Sequence, residues 1–490
     1  MSWRNLIWMS LILCLAGLAL VLARGQPARV EPHDPAIDEL AGALAAHNEI
    51  QRRAYRPNSG WDATCGAIDG MVRKLDPYSM YVPPGFDAPF RDQVEGIAQE
   101  TGLELTEDSG RLLVLGAVPG SPAEKLGLSA GTELVAIDET PAADLTLEAA
   151  RKLVQRPEKS PVRLRLRGPG GAAQERLLER ARIELPTVTG LLRDEAGRWV
   201  HKIDPSGICY VRVTEFVRRT PREFQQALAD MKAPQSPESL VLDLRGNPGG
   251  MLPAVVEIAD MFLTEGLIVR TLHRDGREEP HFARPGAELP PLPTVVLVDG
   301  QTASGGEILA GALQRHGRAV LLGQPTYGKW CVQSFVPLSH GLGNVYMTTA
   351  RYVLPEPAAQ GALLRTTQPA TQTQPGRVAT RPAETTLPVP CAATAPADRQ
   401  GLVPDVLMKL TPKGAEKLAQ LRLAAAVPPL PASPPAPPGR AAARVQASRQ
   451  LLLKTDTQLE RAVQLLRDRR VLTSRPAAVA GAAGVIQPGE

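Results

Sequence analysis

Residues 293–307 read PTVVLVDGQTASGGE, an apolar run of strand length that leads through a short turn into a serine flanked by small residues. The β-branched stretch Thr294–Val298 predicts a buried strand, and Gly306–His316 predicts the helix that follows it. In folds that alternate strands and helices, reactive groups gather where a strand gives way to a helix N-terminus. Ser304 occupies such a position and is the candidate nucleophile. The alternative, that Ser304 is only the N-cap of the helix, stays open.

The segments on either side repeat the alternation of strand and helix. The predicted strands are 207–213, 239–244 and 319–323, and the predicted helices are 220–231 and 252–263. This order predicts an α/β core that extends over residues 180–411.

A serine hydroxyl needs a base, and the nearby histidines in the sequence, His316 and His340, lack a recognisable setting. Lys329 is the other candidate. A solvated lysine has a pKa of about 10.4, so burial must lower the pKa of this amine before it can accept a proton near neutral pH. Gln333 lies four residues further on and would orient the amine.

Three apolar neighbours of Lys329 would desolvate it: Trp330, Val332 and Phe335. The competing interpretation is that Lys329 is a solvated surface charge. The sequence pattern around the lysine leaves both readings open.

Residues 242–250 (LDLRGNPGG) end another predicted strand, and the glycines there allow backbone amides to face a ligand. Gly249 or Gly250 is predicted to donate to a developing oxyanion alongside Gly305 at the helix start. Taken alone, the segment is an ordinary glycine turn.

These three elements, 242–250, 302–307 and 327–333 (YGKWCVQ), resemble in order and spacing the carboxyl-terminal processing proteases, a Ser-Lys family with an embedded PDZ domain. The resemblance covers residues 76–405 and includes 76–81 (DPYSMY). It implies a crotonase-like α/β peptidase core.

By the same resemblance Ser304 is the nucleophile, Lys329 the general base and Gln333 the residue that positions the lysine. Trp330 departs from the pattern, because it stands where the family usually has glycine. That exchange would narrow the site or change its substrate pocket.

Residues 96–169 change to short strands, which we predict at 103–105, 112–118, 133–137 and 162–166. The helix after Ser121 has a serine cap and Pro122 in its first turn. This order resembles a PDZ domain, a module that adds an extended peptide to a sheet edge. Gly102, Leu103, Glu104 and Leu105 occupy the place of its peptide-binding loop and strand.

The N-terminal part predicts an export signal followed by a helical region. Leu6–Ala23 is an uncharged apolar run after Arg4, so residues 1–24 are either a cleaved signal or an uncut membrane anchor, and we favour the anchor. The protein is therefore expected outside the cytoplasm, in the periplasm or an equivalent space. Residues 35–95 are predicted to be mainly helical.

The C-terminal part divides by composition. Residues 356–400 form a Pro-, Thr- and Ala-rich insertion predicted to be flexible, 412–440 a proline-rich linker, and 473–490 a disordered tail. Residues 441–472 are predicted to form a helix. That helix serves either docking and dimerisation, which would make a homo-oligomer, or packing on its own domain.

Charge and cysteine content exclude some partners. The formal net charge is +4, and the basic residues are not gathered in a block, so electrostatics indicate no nucleic-acid partner. The cysteines are too widely spaced for a zinc knuckle or a redox pair, and no metal or other cofactor is predicted.

Together the patterns predict a serine endopeptidase that cleaves exported proteins near their C-termini and binds those tails through its PDZ-like domain. The alternative is a catalytically silent peptide- or ligand-binding protein with the same fold.

Overall fold

A computed structural model describes most of the chain between residues 35 and 468. The described ranges are 35–56, 59–118, 120–128, 131–155, 161–168, 171–194, 197–232, 236–286, 289–357, 400–426 and 438–468. The predicted signal or anchor (1–24), most of the insertion (358–399) and the predicted tail (473–490) lie outside these ranges.

The chain divides into two compact units, one up to Met71 and one from Val72 onward. The described part of the first unit is helical, with α1 at Pro35–Arg53 and α2 beginning at Gly60 and ending at Val72. Across the described residues, no helix combines the length and the apolar character needed to cross a bilayer.

The second unit contains a six-stranded sheet. Its strands, in order across the sheet, are β10 (Val188–Thr189), β13 (Ile208–Val213), β14 (Ser239–Asp243), β17 (Thr294–Val298), β18 (Val320–Gly323) and β21 (Val406–Leu407). The strands are parallel except for β10. Strands β14 and β17 are buried at every position, because helices cover both faces of the sheet.

Alternate side chains of these strands enter two separate cores. One core packs Leu242 and Val296 against three helices, α6 (Thr220–Lys232), α7 (Leu252–Asp260) and α8 (Gly305–Arg315). The other packs Val241, Val295 and Leu297 against the C-terminal helices. The resulting helix–sheet–helix layers place the carboxyl ends of β14, β17 and β18 at one rim.

A second sheet is formed by β1 (Met80–Val82), β20 (Asn344–Val353), β15 (Leu267–His273) and β16 (Glu278–Phe282), in that order, and β19 (Cys331–Pro337) pairs with β20. Because β1 precedes the PDZ-like strands and pairs with β20, the PDZ-like domain is inserted between two parts of the peptidase core. Helix α3 (Asp87–Val94) follows β1.

The inserted domain has a five-stranded sheet. Its strands, in order, are β3 (Leu103–Asp108), β4 (Arg111–Ala117), β5 (Glu133–Ile137), β7 (Val162–Arg167) and β8 (Ala173–Leu178), and the short strand β6 (Thr140–Pro141) pairs with β5. Helix α4 (Pro122–Lys125) begins after Ser121, whose Oγ accepts from Glu124 N at 3.2 Å, so the predicted cap is confirmed. Helix α5 (Leu147–Gln155) packs beside β3.

Short paired strands complete the chain. They are β2 (Ile97–Glu100) with β9 (Ala181–Glu184), and β11 (Leu192–Arg193) with β12 (Trp199–Val200).

The C-terminal region differs from its prediction. Residues 412–426, expected in the linker, form helix α9, because this stretch is rich in Ala and Leu and its Leu418 is buried. The single helix expected over 441–472 is two, α10 (Pro438–Thr455) and α11 (Thr457–Arg467), separated at Asp456. The apolar face of α11 is buried in the second core, so α11 packs on its own domain.

Candidate active site

Ser304 lies in the turn between β17 and α8, and this turn is bonded to the loop that follows β14. Asp299 Oδ1 accepts from the backbone amides of Gly246, at 3.0 Å, and Thr302, at 3.1 Å. The Thr302 hydroxyl donates to Leu244 O at 2.9 Å. These hydrogen bonds join two segments about 50 residues apart in sequence, the loop after β14 and the turn after β17.

The backbone of Ser304 is strained, with φ 51° and ψ −116°, a conformation that residues with a side chain rarely adopt. Such outliers are retained where the surrounding structure enforces them, and they gather at functional sites. Gly249 lies against it: a Cβ at Gly249 would come within 2.6 Å of Ser304 Cβ. Only glycine fits there without a shift.

Lys329 lies in the loop between β18 and β19 and is half-buried. Burial lowers the pKa of its ammonium group, while the charges of Asp76 and Glu307 oppose that shift. The Tyr78 ring lies beneath it, with its centroid 4.9 Å from Nζ. The amine is thus in a partly desolvated setting.

Tyr78 and Asp76 had no role in the sequence-based prediction. Asp76 Oδ1 accepts from the amides of Tyr78 and Ser79, both at 2.8 Å, and this turn presents the Tyr78 ring to Lys329. In the sequence, the segment 76–79 indicates only a resemblance to the family. Its contact with Lys329 joins residues about 250 positions apart and depends on tertiary structure.

Glu307 is a second residue that the sequence-based prediction left without a role. It is fully buried, and each of its carboxylate oxygens accepts two hydrogen bonds. Oε2 accepts from the amides of Ser304 (2.9 Å) and Lys329 (2.8 Å), and Oε1 accepts from Thr326 Oγ1 (2.6 Å) and the amide of Gly328 (2.7 Å). One side chain therefore ties the candidate nucleophile to the candidate base. Its spacing, serine followed three residues later by glutamate, is a capping-box signal.

Gln333 lies on β19 in the same region. Its amide nitrogen donates to Thr348 Oγ1 at 3.1 Å and to Cys331 Sγ at 3.2 Å. Thr348 N in turn donates to Ser79 Oγ, and Ser79 Oγ to Asp76 Oδ2. Gln333 is thus part of a chain of hydrogen bonds that ends beside Lys329, and its predicted role of orienting the amine stays a prediction.

The predicted oxyanion donors divide into two groups. The amide of Gly249 donates to Asn247 Oδ1 at 2.8 Å. This amide is therefore already hydrogen-bonded within a local turn, which conflicts with its predicted role as an oxyanion donor. Gly305 is the first residue of α8, where helix amides have no intrahelical acceptor. Gly305 and Gly250 are the candidates that remain.

Of the predicted peptide-binding segment, Gly102 precedes β3, and Leu103, Glu104 and Leu105 are its first residues; β3 is the terminal strand of the PDZ-like sheet. The Leu103 and Leu105 side chains are buried in that domain's core. Burial raises the pKa of the Glu104 carboxyl to about 7, although Arg151 lowers it. A strand at the end of a sheet is the place where a peptide strand could be added.

The next candidates for chemistry within the described ranges are metal-binding groups and cysteines. There, no three His, Cys, Asp or Glu side chains are grouped as metal ligands would be. Cys209 and Cys331 are buried thiols that form no disulfide in the described part of the chain. Cys14 and Cys391 lie outside it.

Comparison with known proteins gives matches over both the core and the inserted domain. The sequence profile of Peptidase family S41 matches residues 207–361, and a PDZ domain profile matches residues 113–168. The carboxyl-terminal-processing protease of Synechocystis sp. is 33% identical over 310 residues, which is 62% of this chain and 70% of that protein. This chain belongs to the carboxyl-terminal-processing protease family. It is a serine-type peptidase with a PDZ domain.

Other similar proteins carry the same description. The carboxy-terminal-processing protease of Bartonella bacilliformis is 33% identical over 294 residues, 59% of this chain and 65% of that protein. A solved structure titled photosystem II D1 C-terminal processing protease is 26% identical, with a TM-score of 0.41, and covers 81% of this chain and 95% of its own. In the chain described here, the backbone amides of Ser304 and Lys329 both donate to one buried carboxylate, that of Glu307.

Proposed function

We propose that Ser304 attacks the scissile carbonyl and that Lys329 is its general base. The observation that carries this proposal is the position of Glu307, whose carboxylate holds the backbones of both residues. Lys329 Nζ would take the Ser304 hydroxyl proton as the acyl-enzyme forms, and then give it to the leaving amine. Water, activated by the same amine, would release the acyl group.

The amides of Gly305 and Gly250 are the proposed oxyanion donors. Gly305 supports this role because a helix N-terminus favours developing negative charge. Gln333 is proposed to position the amine through the hydrogen bonds that link it to Thr348, Ser79 and Asp76.

The proposed substrates are exported proteins that are cut near their C-termini. The relatives' names describe carboxyl-terminal processing, and β3 offers the sheet edge at which an extended tail could bind. Export, and anchoring through residues 1–24, are proposed from the apolar run Leu6–Ala23.

Alanine variants test the catalytic pair. Ser304→Ala and Lys329→Ala are each expected to reduce cleavage of an unfolded test protein by at least about a thousandfold, because each removes a group needed for the chemical step. Lys409→Ala, which removes an exposed lysine, is the matched control and should cleave normally. Circular dichroism would confirm that each variant is folded. Full activity in either site variant would exclude the proposed mechanism.

The pH profile gives a second readout of the same proposal. Because burial lowers the pKa of Lys329, kcat/KM should rise as the amine loses its proton, with a midpoint below the ordinary lysine value of about 10.4. An activity that does not change with pH between 6 and about 10 would contradict a lysine base.

A further inference from the structure

The amine of Lys329 lies over the face of an aromatic ring. Nζ is 4.9 Å from the centroid of the Tyr78 ring, within the distance at which a cation is attracted by the π-electrons of a tyrosine. Both side chains are half-buried, so water weakens this attraction less than it would at an open surface. The ring therefore stabilises the protonated form of Lys329 more than the neutral amine.

The turn that carries this ring is fixed by hydrogen bonds. Asp76 Oδ1 accepts from Tyr78 N and Ser79 N, both at 2.8 Å, and Asp76 Oδ2 accepts from Ser79 Oγ at 2.9 Å. Ser79 Oγ also accepts from Thr348 N of β20 at 3.1 Å, and β1, which begins at Met80, pairs with the same strand. The Tyr78 turn is thus joined to β20 at two adjacent points.

Lys329 is held at its backbone by other elements. Its amide donates to Glu307 Oε2 of α8 at 2.8 Å, and its carbonyl accepts from the hydroxyl of Tyr352 on β20. A flexible four-carbon chain separates this anchored backbone from Nζ, so the backbone alone leaves many positions open to the amine. The Tyr78 ring adds a contact at the far end of the side chain, and Lys329 is consequently held at both ends.

The neighbouring charges do not duplicate this contact. The titratable groups that act on the Lys329 amine are the Cys331 thiol, Asp76 and Glu307. Every carboxylate oxygen of Asp76 and Glu307 accepts hydrogen bonds from other donors. A substitution at Tyr78 leaves all three groups in the protein, so its effect on the amine reports the ring.

We propose that Tyr78 is a positioning residue whose ring face holds Lys329 Nζ and stabilises the ammonium that forms when the amine takes the Ser304 proton. The inference rests on the proposed catalytic pair. In that step the Ser304 O–H bond breaks and the proton moves to Nζ. The serine oxygen bonds to the substrate carbonyl carbon, and the carbonyl π-electron pair moves to its oxygen. Positive charge develops over the ring as the transition state forms, so the contact stabilises the transition state more than the ground state.

Two substitutions at Tyr78 test the inference. Tyr78→Leu keeps an apolar side chain beside the amine and removes the π-electron face, whereas Tyr78→Phe keeps the face and removes only the hydroxyl. In Tyr78→Leu we expect kcat at high pH to fall about fivefold, with KM within about twofold. The pH midpoint of kcat/KM should fall by about 0.5 unit, because the ammonium form loses a stabilising contact. Tyr78→Phe should keep the wild-type midpoint, and its kcat should stay within about twofold of wild type.

Tyr81→Leu is the control for a general loss of packing. Tyr81 lies three residues further along, in β1, and its hydroxyl donates to Leu342 O at 2.6 Å. This variant is expected to lower Tm without moving the pH midpoint. An unchanged or higher midpoint in Tyr78→Leu would overturn the inference. So would a loss of kcat in Tyr78→Phe equal to that in Tyr78→Leu, since the hydroxyl and not the ring face would then be responsible.

An NMR titration gives a readout that does not need turnover. In protein labelled with ¹³C at lysine Cε, the signal that disappears in Lys329→Ala identifies Lys329, and its pH dependence gives the pKa of the amine. We expect this pKa to be about 0.5 unit lower in Tyr78→Leu than in the wild type. An equal or higher pKa would overturn the inference.

Ser304→Ala and Lys329→Ala, assayed in parallel, separate this result from failure of the catalytic proposal. If both are inactive and Tyr78→Leu keeps the wild-type kcat and midpoint, only the role of Tyr78 is wrong. If either alanine variant is fully active, the catalytic pair itself is wrong.

Discussion

At the scale of single residues, the arrangement depends on one buried carboxylate. Both oxygens of Glu307 are saturated by donors, and the donors come from the nucleophile's turn and from the lysine loop. Hydrogen bonds to a charged acceptor are stronger than neutral ones, and leaving such donors unpaired in the interior costs free energy. Glu307 therefore sets the relative position of Ser304 and Lys329.

Glu307→Gln is expected to lower kcat about a hundredfold and to reduce the free energy of unfolding by about 2–4 kcal/mol. The new amide group would face two hydrogen-bond donors and could accept from neither. Steady-state kinetics and urea unfolding would measure the two effects. Glu257→Gln, on the exposed side of α7, is the control and should change neither. Wild-type kcat in Glu307→Gln would contradict the role given to this carboxylate.

At the scale of elements, strand β3 has its outer edge covered by the protein's own side chains. Leu105 is opposite Val114, whose amide and carbonyl bond to Thr132 and Gly131 on the other side. The backbone of Leu105 therefore points away from β4, toward α5. There Arg151 of α5 donates from Nη2 to Leu105 O at 2.7 Å.

The same edge is capped at a second point, where Leu103 N donates to the Thr101 hydroxyl at 3.3 Å. Arg151 Nε is buried without a hydrogen-bond partner among the described residues. A peptide strand that pairs with β3 needs the Leu105 carbonyl as an acceptor. Peptide binding at this edge consequently requires Arg151 to move.

Arg151→Met is expected to increase the affinity of the protein for a tail peptide about fivefold, because methionine keeps the aliphatic packing and removes the competing donor. Isothermal titration calorimetry with a peptide taken from a cleaved substrate would measure it. Lys152→Met is the control, since Lys152 is the exposed neighbour on the same helix and pairs only with Glu148 in the described structure. Weaker peptide binding to Arg151→Met would mean that the guanidinium contacts the peptide instead.

At the scale of the whole molecule, a buried ionic cluster joins the C-terminal helices to the catalytic rim. Arg245, just after β14, donates to Asp243 and to Asp456 at the start of α11, and all three are almost fully buried. Arg422 of α9 also contacts Asp243. Burial alone would raise the pKa of Asp243, but Arg245 and Arg422 bring it well below its ordinary value.

Asp456→Asn is expected to reduce the free energy of unfolding by about 3 kcal/mol, because it leaves buried positive charge less well compensated. Asparagine can still cap α11 through Leu459 N, so the loss would report the charge and not the cap. Thermal unfolding would measure it, with the exposed Glu460→Gln as control. An unchanged Tm would show that the cluster does not hold the C-terminal helices to the core.

Much of the architecture could be predicted because it follows from patterns of neighbouring residues. The run Thr294–Val298 was predicted with the bounds that the structure shows, and the serine cap of α4 was recognised from Ser121 and Pro122. Helix α9 was missed because neighbouring prolines dominated the composition of the surrounding segment. The amide of Gly249, predicted to donate to an oxyanion, donates to Asn247 Oδ1 in the structure, and Asn247 is a local turn signal.

The alternation of strands and helices, the PDZ-like insertion and the candidates Ser304 and Lys329 follow from the amino-acid sequence, since period, turn chemistry and motif order are properties of neighbouring residues. The groups that surround these two residues are set by the three-dimensional fold. Tyr78 and Tyr352 contact Lys329, and Glu307 bonds to the loop that carries Lys329, because distant segments meet at one rim; Tyr78 and Lys329 are about 250 residues apart in sequence. Such contacts depend on register and packing across the fold, and no local pattern encodes them.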